Sequence, residues 1–271
     1  MRARLRAHLE LGRLQAATVF TYRLDYVFGL IGVVLQVFLL KLVWTSVYAD
    51  QGAVSTPDAG SISLSTQVAY STLASVQYWL LSPWAFTSIG DRIRDGKIAV
   101  DLVRPVPFLE QTIAGQVGAT FAMAPFALVT LPVAILVGGA EGPASPAAFG
   151  GYVVSLVMAY AISTLLNTLV GLVCFWTLEV QGIFMIYRMV GQFFAGALVP
   201  LWFMPDWLRG LATLLPFQAT TYTPLAIYLG RVDGSRLSFS LALQALWILA
   251  ILLVMRLVWS RALRLVIVQG G

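Results

Sequence analysis

Apolar residues gather into six blocks along the chain, each closed by polar or turn-forming residues. They run from about Tyr26 to Val47, Val68 to Ile89, Thr112 to Val137, Ala147 to Trp176, Gly182 to Leu198 and Leu237 to Trp259. The breakers are equally plain: Ala49-Asp50-Gln51-Gly52 after the first, Asp91-Arg92 after the second, Gly138-Gly139 after the third, and Pro143 and Pro146 before the fourth. A helix crosses the hydrocarbon core of a bilayer with about 20 apolar residues, so the pattern predicts six transmembrane helices. Two further segments follow other rules. In residues 1–21, Leu5, Leu9, Leu11, Leu14, Ala17 and Val19 recur at roughly helical spacing with Arg2, Arg6, Glu10 and Arg13 between them. That pattern predicts a basic amphipathic helix lying in the membrane interface, the alternative being a solvated tail. Residues 199–236 are apolar but broken by Pro200, Pro205, Pro216 and Pro224, which forbid one clean spanning helix, while Trp202, Trp207 and Tyr222 favour the interface.

Composition agrees. Of the 271 residues, 59% are hydrophobic and only 11% charged, and the mean hydropathy is +0.84. A soluble domain carries about 25% charged residues, so the chain reads as an all-α polytopic membrane protein, a single transmembrane domain over residues 1–271. The net charge of +5 does not signal nucleic-acid binding, because the basic residues stand at the predicted membrane edges. Arg2, Arg4, Arg6, Arg13 and Arg23 precede the first block, Arg92, Arg94, Lys97 and Arg104 separate the second from the third, and Arg256, Arg261 and Arg264 close the chain. The connections after the first and third blocks hold Asp50, Asp58 and Glu141 and no Lys or Arg. The positive-inside rule then places both termini in the cytoplasm, with the chain multi-pass in the membrane. The long charged start and the long first block do not resemble a signal peptide.

Candidate chemistry is sparse. Cys174 is the single cysteine and His8 the single histidine, so no disulfide framework, metal site or nucleophilic triad is expected. Lys41 is close enough to the end of its block to snorkel outward, and Glu179 and Arg188 flank the start of the fifth. The only Gly-Lys pair, Gly96-Lys97, has Asp91 where a phosphate-binding loop needs its first glycine and Ile98 where it needs Ser or Thr. No ATP or Mg site is expected on this chain. In the fourth block Ala147, Gly151, Ser155, Ala159, Ser163, Asn167 and Gly171 are each four apart and form one small-residue stripe suited to close helix packing, within the subunit or at a dimer seam. The loop at 91–107 alternates charge with Ile93 and Ile98. Gly96 suits a turn after a short helix, and Pro105 and Pro107 stop a helix from running on into the third block.

Several of these segments, taken in order, resemble one family. Ile89-Gly90-Asp91-Arg92-Ile93-Arg94-Asp95-Gly96-Lys97-Ile98 continues to Leu102-Val103-Arg104-Pro105-Val106-Pro107. Val199-Pro200-Leu201-Trp202-Phe203-Met204-Pro205-Asp206-Trp207-Leu208 is followed by Leu215-Pro216-Phe217, Tyr222-Thr223-Pro224 and Tyr228-Leu229-Gly230, and Tyr22-Arg23-Leu24-Asp25-Tyr26 and the closing Gly270-Gly271 fit as well. The chain is similar over its whole length to the ABC-2 type permeases, in their six-span bacterial branch of about 260 residues. The resemblance implies a non-catalytic permease that dimerises with a like or different permease chain and carries two cytoplasmic ATPase chains, which bind the ATP and Mg. It implies export, an ATPase-coupling helix in the 91–107 loop, with Asp91, Arg92, Arg94, Asp95, Gly96, Lys97 and Arg104 as coupling residues, and short re-entrant helices capping the path outside. The cap residues would be Pro200, Trp202, Pro205, Trp207, Pro216, Phe217 and Pro224. The apolar spans suit a hydrophobic or amphiphilic cargo. The competing reading, an ion- or proton-coupled carrier or channel without an ATPase, would need charges buried in the spans, which the sequence lacks, and has no use for the basic loop.

Overall fold

In a computed structural model, which describes residues 9–14, 17, 23–49, 53–56, 60–81, 88–177 and 181–269, the chain is a bundle of helices. In chain order the elements are α1 (Arg23–Val47), strands β1 (Ala53–Thr56) and β2 (Gly60–Ser63), α2 (Leu64–Leu81), α3 (Ser88–Arg94), α4 (Ile98–Val103), α5 (Phe108–Gly138), α6 (Pro146–Val173), α7 (Gln181–Phe194), α8 (Asp206–Thr213), α9 (Tyr222–Tyr228) and α10 (Gly234–Gln269). Short 3-10 turns at Leu201–Phe203 and Pro216–Thr220 flank α8. Four helices are long and apolar enough to span a bilayer: Val27–Val47, Phe108–Gly138, Pro146–Val173 and Gly234–Leu265. At 1.5 Å per residue the 31-residue α5 is about 46 Å long, and the 14-residue α7 only about 21 Å.

Each of the six apolar blocks contains a helix, but the blocks and helices differ in informative ways. The second block was expected to reach Ile89; its helix runs from Leu64 to Leu81, and 82–87 lie outside the described residues. Five of its twelve buried residues, Gln67, Ser71, Thr72, Ser75 and Gln77, are polar, and α2 is not among the four long apolar helices. The Ser63 hydroxyl accepts from the Thr66 amide at 3.2 Å and caps its start. The connection after α1, expected to be a plain polar loop, folds into an antiparallel hairpin that pairs Ala53 with Ser63 and Thr56 with Gly60. The expected interfacial helix lies mostly outside the described residues; residues 9–14 are helical, and Gly12 crosses Gly118 of α5 with backbone against backbone, so closely that a Cβ on Gly118 would overlap the Gly12 carbonyl.

Two packing groups result. α1, α2 and α5 meet through Val33, Val37, Val76, Trp79, Ala119 and Met123. At their far end Gly138 is wedged so tightly that a Cβ would come 2.6 Å from Val37 Cγ1. α6 and α10 pair through Ile162, Leu166, Ile251 and Met255, and α3 and α4 close the same core with Ile89 and Ile98. The outward faces stay apolar. Leu246, Leu249, Leu253 and Leu257 form an exposed stripe on α10, and Ile31, Leu35, Phe38 and Leu42 one on α1. Such stripes on a bundle this poor in charge are surfaces for lipid.

Candidate functional site: a charged knuckle and an opposed cap

Two irregular stretches interrupt the bundle at opposite ends. The first is a knuckle formed by α3, a turn and α4 between α2 and α5. Asp95, Gly96 and Lys97 make the turn, with Gly96 at φ +70°, a left-handed conformation that favours glycine. The Lys97 amide returns to the Arg92 carbonyl at 2.9 Å and the Gly96 amide to Ile93 at 3.1 Å, so the end of α3 is closed by its own backbone. Pro107 caps α5 and separates it from α4.

The knuckle sorts its charged residues into two sets. Asp91, Arg94, Asp95 and Lys97 are exposed and pair only locally, Lys97 Nζ with Asp95 at 2.7 Å and Arg94 with Asp91 at 4.0 Å. The Lys97 ammonium, by hydrogen bond and charge, holds the Asp95 carboxyl below the usual carboxylate range. Arg92 and Arg104 turn toward Asp101 instead. Asp101 is 1% exposed. Arg92 donates to both its carboxylate oxygens through Nε and Nη2, and Arg104 Nη1 lies 3.3 Å away. Gln111, in the first turns of α5, donates through Nε2 to the carbonyls of Asp101 (2.8 Å) and Val106 (2.7 Å), and accepts from Arg104 at 3.3 Å. Sequence reasoning singled out Arg92 and Arg104 but missed Asp101 and Gln111. An acidic residue in Ile-Ala-Val-Asp-Leu-Val is an ordinary sight in a loop, and only the fold shows that it is buried. The opposite face of α4 presents Val100 and Val103, 63% and 87% exposed.

The cap at the other end contains residues 195–230. Trp202 is buried against Tyr70 with ring centroids 4.7 Å apart, and its Nε1 donates to Gln67 at 3.2 Å. The Tyr70 hydroxyl donates to the Gly196 carbonyl at 2.9 Å. Gly196 sits at φ +75°, and a Cβ there would meet Leu201 at 2.7 Å. The turn at Pro216–Thr220 leaves backbone carbonyls without helix partners, and two buried glutamines satisfy them. Gln77 of α2 donates to Thr220 O at 2.8 Å, and Gln244 of α10 donates to Ala219 O at 2.9 Å and Ser155 O at 3.1 Å. Buried irregular backbone needs such internal partners. Of the expected cap residues, Pro200 and Pro224 are also buried, Pro216 and Phe217 are half-buried, and Pro205 and Trp207 are exposed.

The stripe on α6 faces inward over most of its length. Ser155, Ala159, Ser163, Asn167 and Gly171 are buried, Gly151 is half-buried and Ala147 exposed. A Cβ on Gly151 would meet Ile227 of α9 at 3.0 Å, and one on Gly171 would meet Ile89 at 2.8 Å. Lys41 is not free to the outside: its Nζ donates to the Val137 carbonyl at 2.8 Å and caps the end of α5. Glu179 and the terminal Gly270-Gly271 lie outside the described residues.

No curated protein matches this chain at a significant level. The family model described as "ABC-2 family transporter protein" matches residues 63–270, a stretch that takes in the knuckle, the cap and every helix from α2 to α10. The long apolar helices and this match agree, and the chain belongs to the ABC-2 family: it is a multi-pass permease component of an ABC transporter, a family whose members associate with an ABC ATPase.

Proposed function

We propose that the chain forms the translocation path of an ATP-driven exporter and receives the work of ATP hydrolysis through the knuckle. One observation carries this reading. The charged knuckle is also tightly built, fastened to α5 by Gln111 and Asp101 while α3 and the turn present Asp91, Arg94, Asp95 and Lys97 outward. A loop that only fixed topology would need its positive charge but not this scaffold. In this reading α1, α2, α5, α6, α7 and α10 are the six spans, the termini and knuckle are cytoplasmic in a bacterial plasma membrane, and 199–236 is an outer re-entrant cap. Two permease chains, alike or different, join two ATPase chains that hold ATP and Mg. The apolar spans favour a hydrophobic or amphiphilic cargo. A carrier working without an ATPase is disfavoured because Asp101, the one buried charged side chain among the described residues, belongs to the knuckle and not to a midplane site.

The test is the double variant Arg94→Ala/Asp95→Ala, made in a strain that also produces the cognate ATPase. Arg92, Lys97 and Arg104 remain to hold topology, so the variant should insert and purify normally. Recovery of ATPase with the permease, or stimulation of its ATP hydrolysis, should fall at least tenfold. Normal assembly and normal stimulation would remove these two residues from the coupling contact.

A further inference from the structure

We infer that Asp101 is a positioning residue for coupling: its buried carboxylate, gripped by Arg92 and Arg104, locks α3, the Gly96 turn and α4 into one rigid body fastened to the first turns of α5. The inference rests on the knuckle being the ATPase contact, and it adds the part that turns contact into motion.

A lone carboxylate removed from water is strongly disfavoured, and it persists only with charged partners and satisfied lone pairs. Asp101 has both. Arg92 reaches it from α3 as a two-pronged fork and Arg104 from the segment beyond α4, so the carboxylate joins the two sides of the turn. Guanidinium–carboxylate forks fix direction as well as distance. The chain then continues without a break into the bundle, because Gln111 holds the Asp101 and Val106 carbonyls and accepts from Arg104. A buried ion pair is often no more stabilising than apolar residues of the same volume. What this one supplies that apolar packing would not is a fixed orientation. The consequence is visible on α4. Ile98, Asp101 and Leu102 form its inner face, and Val100 and Val103, one turn apart on the opposite side, are held outward. A push delivered to the exposed turn or to this ridge passes through Asp101 and Gln111 to α5 instead of being lost in bending at Gly96.

The test uses the full chain in nanodiscs, with Cys174 replaced by Ala and spin labels on cysteines at Lys97 and Phe121, both exposed in the structure. Pulsed electron resonance reads the distance between the turn and α5, and a parallel assay on the unlabelled chain, with Lys97 in place, reads how far the permease stimulates ATP hydrolysis by its purified ATPase. With Asp101 intact we expect one narrow distance distribution. Asp101→Asn should broaden it at least twofold and cut stimulation at least tenfold, with helix content and monodispersity unchanged, and Asp101→Glu should recover a large part of both. Should Asp101→Asn fail to fold, Arg104→Gln, which leaves Arg92 on the carboxylate, takes its place with a smaller effect in the same direction. Unchanged distances overturn the inference, whatever the stimulation does. Broadened distances with full stimulation also overturn it, since Asp101 would then be merely structural. A wild-type permease that no ATPase stimulates would instead contradict the coupling reading, and the distance measurement would still decide whether the clamp exists.

Discussion

The knuckle and the cap both hold stranded carbonyls with glutamine amides, but only the knuckle adds buried ions. Each is a stretch of short helices and turns joined to a bundle of long helices, and each must give partners to the carbonyls that irregular backbone strands. In the knuckle Gln111 donates to the Asp101 and Val106 carbonyls, and Arg92 and Arg104 on the Asp101 carboxylate fasten the two sides of the turn. In the cap Gln77, Gln244 and Tyr70 donate to the carbonyls, and Trp202 donates to Gln67, with no ion among them. In the proposed topology the difference follows from depth. A charged side chain in hydrocarbon costs about 3 kcal/mol or more, and an amide can hold two carbonyls at once without that cost. Charge is available where water is near, so each device reports the medium in which it was built.

Introducing the same substitution in both places is the sharpest way to break the comparison. Gln77→Glu turns a donor to the Thr220 carbonyl into a carboxylate facing it, in the apolar interior, and should destabilise the permease by about 3 kcal/mol or more. Gln111→Glu also loses two donated bonds, but Arg104 is 3.3 Å away to receive the new charge, so its cost should be smaller by about 1 kcal/mol. Thermal unfolding of both variants in one detergent checks the order, and equal losses would deny that the two ends differ in medium.

A pair of glycines gives the next largest effect. Gly196 and Gly96 share nearly the same left-handed backbone, φ +75° and +70°. At Gly96 nothing lies within 4 Å of an added Cβ, whereas at Gly196 Leu201 lies at 2.7 Å and the Tyr70 hydroxyl at 3.0 Å. Gly96→Ala should therefore cost only the backbone term, about 1 kcal/mol. Gly196→Ala adds a clash and disturbs the Tyr70 bond, for about 2–3 kcal/mol in all. Hydrogen exchange of the cap amides, together with the melting shift, separates the two.

Ionic strength should divide the regions more gently. At 1 M salt the screening length is about 3 Å, so the exposed Arg94–Asp91 and Lys97–Asp95 pairs weaken while the neutral cap network does not. Exchange of the turn amides should rise modestly with salt and that of residues 216–230 should stay flat.

The smallest effect is the titration of Asp95. Its folded carboxyl lies below the ordinary value because Lys97 hydrogen-bonds it. The stabilisation this pairing brings is therefore present above the ordinary carboxylate pKa and is lost as pH falls through the lowered folded one. Carboxyl NMR of the labelled permease should show a midpoint below the ordinary carboxylate value, returning to it in Lys97→Ala, with no change in the turn between pH 6 and 8.

How much of this was legible in the sequence depends on range. Runs of apolar residues and their breakers are local signals, and each of the six blocks contains a helix. The Gly96 turn and the proline-broken segment at 199–236 were local as well. The hairpin was not, because Ala53–Thr56 and Gly60–Ser63 carry no apolar alternation and are joined through backbone bonds. Nor were the clamp and the cap network. Gln77 meets a carbonyl 143 positions away and Tyr70 one 126 away. In the sequence, a glutamine inside an apolar block looks like a blemish in a span; its partner exists only once α2 and the Pro216–Thr220 turn are brought together. Lys41 is a like case: its place near the end of its block was visible, and the Val137 carbonyl it finds at the end of α5 was not.

The most direct test of the account is a cross-linking map of the permease bound to its ATPase. Photoreactive residues would be placed at Asp95 and Val100 in the knuckle and at Asp206 and Trp207 in the cap, all exposed in the structure. The account predicts adducts with the ATPase from Asp95 and Val100 and none from Asp206 or Trp207. An intact complex that cross-links through the cap positions and not through the knuckle would contradict it.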